Sequence, residues 1–245
     1  MNPLRGLNEY GQSIWLDYIR RGLITSGELQ RLVEEDGLAG VTSNPAIFEK
    51  AITGSTDYAE VLETLQQKAL DPISVYEQLA IRDIQDAADL LRPVFDRTNG
   101  RDGYVSFEVS PYRARDTEGT IEEANRLWEA VGRENVMIKV PATAEGIPAI
   151  ERLIGEGINV NVTLLFAQET YERVAEAYVA GLEKLDGRSG GVGKVASVAS
   201  FFVSRIDTAV DAVAKARLKT AANASEGALL RSIMGKVAIA NAKLT

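Results

Sequence analysis

The chain has 245 residues, a net charge of −8, and no histidine or cysteine. Without cysteine there can be no disulfides, thiolate nucleophiles or cysteine metal sites, and without histidine there can be no Ser-His-Asp triad or imidazole ligand. The negative charge disfavours nucleic acid and anionic membranes as partners. No apolar run of about 18 residues and no signal-peptide core is found, so a cytoplasmic protein is expected.

Short apolar segments alternate with longer segments of helical periodicity along the chain. Strands are predicted at residues 13–19, 40–45, 104–110, 136–142, 158–166 and 194–203. Helices are predicted between the strands and after the last of them, and include residues 144–154, 167–185, 204–218 and 225–244. This alternation is typical of a parallel sheet with helical crossovers, so the predicted fold class is α/β.

Local signals predict where several helices begin and end. Asp71, followed by proline, is typical of a helix N-terminus. Thr25 and Thr120 are each followed three residues later by glutamate, which predicts a capping box at both positions. Gly37 and Gly132 are expected to end the helices that follow these two boxes.

The fourth predicted strand has a lysine in its middle. Alternate residues of a strand face opposite sides, so Val136, Ile138 and Val140 share one face while Met137 and Lys139 share the other. Helices cover both faces of a doubly wound sheet, where a buried polar group is costly. A barrel interior opens at the carboxyl ends of its strands and accepts such groups. A TIM (β/α)8-type barrel is therefore predicted.

The same arrangement recurs in the other predicted strands. In the fifth, Val160, Val162 and Leu164 oppose Asn161 and Thr163. Taken alone, each polar residue has a structural explanation, such as an edge lysine with its head in water or an asparagine that satisfies backbone groups. Their recurrence at similar depth on several strands favours a site instead. The predicted ring consists of Asp17, Asn44, Glu108, Lys139, Asn161, Thr163 and Ser200.

A lysine beside two carboxylates in a barrel mouth predicts a particular chemistry. Burial favours the neutral form of an amine, and a neutral lysine can form a Schiff base with a ketone. The protonated imine accepts electrons from the adjacent C–C bond, so that bond can break or form. Asp17 and Glu108 would then transfer the protons, and neither a metal nor another cofactor is required.

Six segments together resemble the transaldolase family, in particular its bacterial branch, which includes fusions to phosphoglucose isomerase. The segments are WLDYI, GVTSNPAIFEKAI, VSFEVSP, VMIKVPAT, GINVNVTLLF and ASFFVSRID, and they occur in order over nearly the whole chain. The resemblance implies a transferase that moves a dihydroxyacetone unit through a lysine Schiff base. Sedoheptulose 7-phosphate and glyceraldehyde 3-phosphate would give erythrose 4-phosphate and fructose 6-phosphate, in the non-oxidative pentose phosphate pathway.

The resemblance also implies a role for each matching residue. Lys139 matches the Schiff-base lysine, and Asp17 matches the aspartate that handles the substrate hydroxyl proton. Glu108 matches a glutamate that acts through a catalytic water, which the threonine matching Thr163 positions. The residues that match substrate-binding groups are Asn44 and Asn161 for hydroxyls, and Ser200 and Arg205 for the phosphate. The implied partners are sugar phosphates, and a homodimer is compatible with this interpretation.

Two alternatives stay open at this point. A fructose 6-phosphate aldolase-like enzyme would share the barrel and the lysine but release free dihydroxyacetone. An inactive fragment would only bind sugar phosphate. Residues 1–245 are expected to form a single transaldolase-like barrel domain with about six of its eight strands, incomplete at the C-terminus and therefore weakly active.

Overall fold

The computed structural model of the chain describes residues 2–68, 70–189 and 191–245. Within these ranges the strands are β1 (Ile14–Asp17), β2 (Leu38–Thr42), β3 (Tyr104–Glu108), β4 (Val136–Pro141), β5 (Val160–Leu165) and β6 (Ser197–Phe201). All six predicted strands are confirmed. They form one parallel sheet in the order β1-β2-β3-β4-β5-β6.

The strand order separates the two candidate α/β architectures. A doubly wound sheet reverses its strand order at a switch point, whereas successive strands of a TIM-type barrel are neighbours throughout. Here every strand pairs with the next one along the chain. The predicted TIM-type α/β fold is confirmed, with six of its strands in the described residues.

Helices connect the strands and follow the last of them. They are α1 (Pro3–Gly6), α2 (Arg21–Thr25), α3 (Glu28–Arg31), α4 (Pro45–Thr53), α5 (Ala59–Gln66), α6 (Pro72–Arg97), α7 (Thr117–Val131), α8 (Gly146–Gly155), α9 (Gln168–Ser189), α10 (Ser204–Leu218), α11 (Ala224–Ile233) and α12 (Val237–Leu244). In the described parts of the chain, none of them has the length and apolar content needed to cross a bilayer.

Several predicted helix ends are confirmed. The Asp71 side chain accepts hydrogen bonds from the backbone N–H groups of Ile73 and Ser74, and it thereby caps α6. Gly37 has a φ of 75° and ends a π-helical turn, Leu32–Asp36, that continues α3; Gly132 has a φ of 59° and ends α7. Both adopt the left-handed conformation that is open to glycine without steric cost.

The two predicted capping boxes are wrong. Thr25 ends α2 instead of beginning a helix, and the chain turns through Gly27 at a φ of 81° before α3 starts. Helix α7 begins earlier than predicted because Asp116 caps it, accepting a hydrogen bond from the backbone N–H of Gly119. Thr120 therefore lies in the first turns of α7, where its side chain is buried. Asp116 is a stronger capping residue than threonine, so α7 begins after Asp116 and not at the box predicted from Thr120.

Two long predicted segments are interrupted. The helix predicted over residues 225–244 is divided into α11 and α12 around Gly235, whose φ is 67°. In β5, Leu164 has a φ of 61° and is 43% exposed, whereas Leu165 is fully buried. The expectation that Leu164 shares a face with Val162 is therefore wrong, because the pairing of β5 with β6 shifts at this point.

The core lies between one face of the sheet and the helices. The alternating apolar residues of the two central strands are all 2% exposed or less: Val105, Phe107, Val109, Val136, Ile138 and Val140. Burial of each such large side chain contributes about 1.5–3 kcal/mol relative to exposure. Phe107 also packs edge-to-face against Phe48 of α4, with 6.3 Å between the ring centroids. This packing holds β3 and β4 rigidly and directs their polar face to the opposite side.

Gly103, directly before β3, is expected to be intolerant of a side chain. Its φ is +87°, and a Cβ there would lie 2.3 Å from the backbone nitrogen of Phe95. Gly103→Ala should lower the free energy of unfolding by about 2 kcal/mol or more, measured by urea denaturation. Gly193→Ala is the control, because no heavy atom lies within 4 Å of its added Cβ. Equal losses in both variants would contradict this account of Gly103.

Candidate active site

Lys139 and Glu108 form a buried ion pair. They lie directly opposite each other in the register of β3 and β4. Lys139 Nζ is 3.2 Å from Glu108 Oε2, and it also donates a hydrogen bond to the backbone carbonyl of Ser43, at 3.2 Å. Lys139 as a whole is only 6% exposed. The amine thus lies in the carboxyl half of β4, is buried, and is next to one carboxylate, as the barrel interpretation requires.

Burial raises the pKa of Glu108 above its ordinary value. The charge of Lys139 and its hydrogen bond act in the opposite direction, and the negative charge of Asp17 raises the pKa further. The influence of Asp17 indicates that the two predicted carboxylates lie near enough to interact electrostatically. A carboxylate with a raised pKa is a better proton acceptor, and it lies within hydrogen-bond reach of the lysine proton.

Asp17 is the last residue of β1, and its side chain is held from the neighbouring strand. Thr42 Oγ1 donates a hydrogen bond to Asp17 Oδ1 at 2.7 Å, and the two residues are paired in the register of β1 and β2. In the described parts of the chain, β1 pairs with β2 alone. The carboxylate therefore stands at the open edge of the sheet, where a substrate could reach it.

Asn161 links three strands inside the sheet. Its side chain is fully buried; Nδ2 donates to Ser106 Oγ at 2.8 Å, and Oδ1 accepts from Ser200 Oγ at 2.7 Å. Two predicted site residues, Asn161 and Ser200, are thus in contact. Ser106 was not predicted as a site residue, although it is two positions before Glu108 and on the same face. That period of two was the signal that could have identified it.

Ser43 is a second residue missing from the predicted ring. Its carbonyl accepts from Lys139, and its hydroxyl donates to the backbone carbonyl of Ser106 at 2.7 Å. The neighbouring Asn44 caps α4, where Oδ1 accepts a hydrogen bond from the backbone N–H of Ile47 at 3.0 Å. This cap uses the amide oxygen of Asn44 and leaves its NH₂ group for a ligand. No sequence pattern identifies a residue whose contribution is a backbone carbonyl.

In the described parts of the chain, no hydrogen bond or ion pair joins the remaining two predicted residues, Thr163 and Arg205, to Lys139 or Glu108. Thr163 is 2% exposed and follows Asn161 by two positions on the same face of β5. Arg205 lies in the first turn of α10, and its guanidinium stacks on the ring of Phe202, 4.5 Å from the centroid. Because α10 follows β6, Arg205 is at the carboxyl edge of the sheet, as are Asp17, Asn44 and Glu108.

No metal centre is formed by these groups. Within residues 2–68, 70–189 and 191–245, the side chains of aspartate and glutamate form no cluster of three that could hold a metal ion. The chemistry available to this arrangement is that of an amine with nearby carboxylates and hydroxyls.

Comparison with known proteins identifies the family. The sequence model of the family described as Transaldolase/Fructose-6-phosphate aldolase matches residues 14–244. The chain belongs to the transaldolase/fructose-6-phosphate aldolase family. The predicted resemblance is thereby confirmed, and the match includes every strand of the sheet.

Similar proteins from bacteria are named transaldolases. A Transaldolase from Trichodesmium erythraeum is 49% identical over 243 residues, which cover 99% of this chain and 64% of the relative. Transaldolase 2 from Nostoc sp. is 50% identical over 245 residues, 100% of this chain and 64% of the relative. Transaldolase from Thiobacillus denitrificans is 47% identical over 244 residues, which cover 100% of this chain and 66% of the relative. The chain thus spans about two thirds or slightly less of the length of these relatives.

The raised pKa of Glu108 predicts a pH-dependent stability. Because the folded chain binds this proton more tightly than the unfolded chain, the contribution to the free energy of unfolding is fully present below the ordinary pKa of glutamate. It is lost as the pH rises through the raised value. Over a pH interval that rises from the ordinary pKa of glutamate through the raised value, wild type should therefore lose stability relative to Glu108→Gln in urea unfolding. A difference that does not change over this interval, or that changes in the opposite direction, would contradict the assignment.

Proposed function

We propose that this chain carries the Schiff-base centre of a transaldolase, which transfers a dihydroxyacetone unit between sugar phosphates. The observation that carries the proposal is the buried amine of Lys139, which lies 3.2 Å from the carboxylate of Glu108 on the adjacent parallel strand. Membership of the family and the names of its relatives support the choice of reaction. The donors would be sedoheptulose 7-phosphate or fructose 6-phosphate.

In the first step Lys139 becomes covalently attached to the ketose. Glu108 accepts a proton from the ammonium, directly or through a water that Thr163 positions. The free amine then adds to the C2 carbonyl of the ketose to give a carbinolamine. The carbinolamine hydroxyl takes up a proton and leaves as water, which produces the protonated imine. The proximity of Lys139 Nζ to Glu108 Oε2 supports this assignment.

In the second step the C3–C4 bond breaks. Asp17 removes the proton from the C4 hydroxyl, an aldehyde forms at C4, and the electron pair of the C3–C4 bond moves into the imine. A three-carbon enamine stays bound to Lys139 while the aldose phosphate leaves. The acceptor aldose then enters, the enamine attacks its aldehyde carbon, and Asp17 returns the proton to the new hydroxyl. Hydrolysis of the imine releases the ketose product and regenerates the amine.

The other predicted residues would hold the substrate. Asn161, fixed by two hydroxyls, and the free amide NH₂ of Asn44 would bind sugar hydroxyls. Arg205 would bind the phosphate, for which a permanently charged, planar guanidinium is well suited. Ser200 would also bind it, by turning its hydroxyl from Asn161 Oδ1 to a phosphate oxygen. Stacking on Phe202 supports this role of Arg205, because it orients the guanidinium without consuming its donors. The cytoplasmic location and the homodimer stay predictions from the sequence.

The covalent step can be tested by reductive trapping. Incubation with fructose 6-phosphate and borohydride should produce a reduced adduct on Lys139, located by peptide mass spectrometry. Lys139→Ala should abolish it. Lys184→Ala is the matched control, because Lys184 also pairs with a glutamate, Glu151, but is 59% exposed on α9. Its adduct should equal that of wild type. A folded wild-type chain with no adduct on Lys139 would refute the proposal.

The proposed role of Asp17 has a separate test. Asp17→Asn cannot remove the C4 hydroxyl proton, so turnover should fall about 10²- to 10⁴-fold while imine formation continues. In wild type the enamine takes up a proton at C3 to give a three-carbon protonated imine, which borohydride reduces. In Asp17→Asn the trapped adduct should instead be the intact six-carbon sugar phosphate. An adduct that stays three-carbon would show that Asp17 does not act in cleavage. Release of free dihydroxyacetone by wild type without an acceptor would favour an aldolase, the other activity named in the family description.

A further inference from the structure

A buried carboxylate lies outside the predicted ring of site residues. Asp83 of α6 is fully buried, and its Oδ1 accepts a hydrogen bond from Arg21 Nε at 2.8 Å and lies 2.8 Å from Arg21 Nη2 in an ion pair. Its Oδ2 accepts from the hydroxyl of Tyr58, at 2.7 Å. The same hydroxyl accepts from the backbone N–H of Arg21, at 3.1 Å. These three residues form a closed group that we call the Arg21–Tyr58–Asp83 cluster.

The charges of this cluster are costly to bury. Burial raises the pKa of Asp83, while its hydrogen bond from Tyr58 and the charge of Arg21 act in the opposite direction. Buried ion pairs contribute little net stability compared with apolar residues of similar volume, whereas removal of one partner is strongly destabilising. Their best-supported benefit is a unique geometry. The question is therefore which geometry this cluster holds.

The cluster holds the segment that leaves β1. Arg21 is the first residue of α2, and the segment before it begins at Asp17. Ile19, between them, is fully buried in the core. Arg20 Nε is 3.2 Å from Asp57 Oδ2, and the backbone N–H group of residue 22 donates to the same oxygen at 2.9 Å. Residues 20–22 are thus fixed on the side that faces α6.

Asp17 itself is held by fewer hydrogen bonds than residues 20–22. It is the last residue of β1, which among the described residues pairs with β2 alone. In that part of the chain, its side chain accepts a single hydrogen bond, from Thr42. Its burial is also lower than that of the central strands. The position of its carboxylate must therefore depend strongly on how the chain continues after it.

We infer that the Arg21–Tyr58–Asp83 cluster is a positioning device for Asp17, which fixes the exit of β1 so that this carboxylate reaches the C4 hydroxyl of the imine-bound sugar. The inference rests on the proposed function of Asp17. Lys139 is held independently by β4, Glu108 and the carbonyl of Ser43. Loss of the cluster should therefore impair C–C cleavage while imine formation at Lys139 continues.

The sharpest variant is Tyr58→Phe, because it removes one hydroxyl and keeps the ring under the guanidinium of Arg21. A displacement of about 1 Å in a reacting group can cost about 10²-fold in rate. After incubation with fructose 6-phosphate and borohydride, the ratio of six-carbon to three-carbon adduct on Lys139 should rise about tenfold or more. The ratio is internal to the molecules that react, so partial unfolding of the variant does not change it.

Asn135→Ala is the matched control. Asn135 is also buried, and its Nδ2 donates to two backbone carbonyls, those of Ala88 and Gly103, each at 2.8 Å. It lies immediately before β4, at the end of the sheet opposite to the carboxylates. This variant should lose stability and keep the wild-type adduct ratio. A ratio that rises equally in both variants, or that is unchanged in a folded Tyr58→Phe chain, would overturn the inference.

Hydrogen exchange provides a test that does not depend on the reaction. Without substrate, backbone amides of residues 17–22 should exchange about tenfold or more faster in Tyr58→Phe than in wild type, and at the wild-type rate in Asn135→Ala. Unchanged exchange at these residues in Tyr58→Phe would overturn the positioning role. If wild type forms no adduct of either length, the proposed function fails, and the exchange rates still decide whether the cluster holds the exit of β1.

Discussion

The ion pair of Lys139 and Glu108 is the interaction on which the site depends. Removal of each charge from water costs several kcal/mol, so the pair requires close geometry and further hydrogen bonds. Parallel pairing of β3 with β4 places the two residues opposite each other, and the carbonyl of Ser43 accepts a second lysine proton. The same burial that makes the pair costly raises the pKa of Glu108 and makes its carboxylate a better proton acceptor. Burial thus accounts both for the energetic cost of the ion pair and for the stronger basicity of the Glu108 carboxylate.

Side chains on the polar face of the sheet are held by fewer contacts at the edge strands than at the central strands. The central strands are buried on both faces, and there Asn161 forms hydrogen bonds with hydroxyls of β3 and β6. Strands β1 and β6 each pair on one side within the described residues and are only partly buried. Side chains on these edges, such as Asp17 and Ser200, must be oriented by few contacts. Polar interactions occur near both edges: Ser200 bonds to Asn161, and the Arg21–Tyr58–Asp83 cluster holds the chain shortly after Asp17.

Family membership and the geometry of the site support different parts of the proposed function. The relatives named transaldolase match nearly all of this chain, and the chain spans about two thirds or slightly less of their length. Within the matched part, the two carboxylates end β1 and β3, and the amine lies in the carboxyl half of β4. These groups would form the imine and transfer its protons, whereas binding of the sugar and its phosphate would require additional residues. The covalent chemistry is therefore the part of the proposal that this chain supports most directly.

The sequence alone determined the α/β class, the six strands and the face on which Lys139 lies, because strand periodicity is a local property of the chain. It also indicated the barrel, since polar groups recurred on one face of several strands. Only the tertiary structure decided that Glu108 is the direct partner of Lys139, that the Ser43 carbonyl accepts a second bond from the amine, and that Ser106 bonds to Asn161. It also replaced two predicted caps, moved Leu164 off its expected face and joined residues of three separate segments around Asp83. Register, caps and buried clusters depend on which distant groups come within about 3 Å of each other, and that is set by the packing of the whole sheet against its helices.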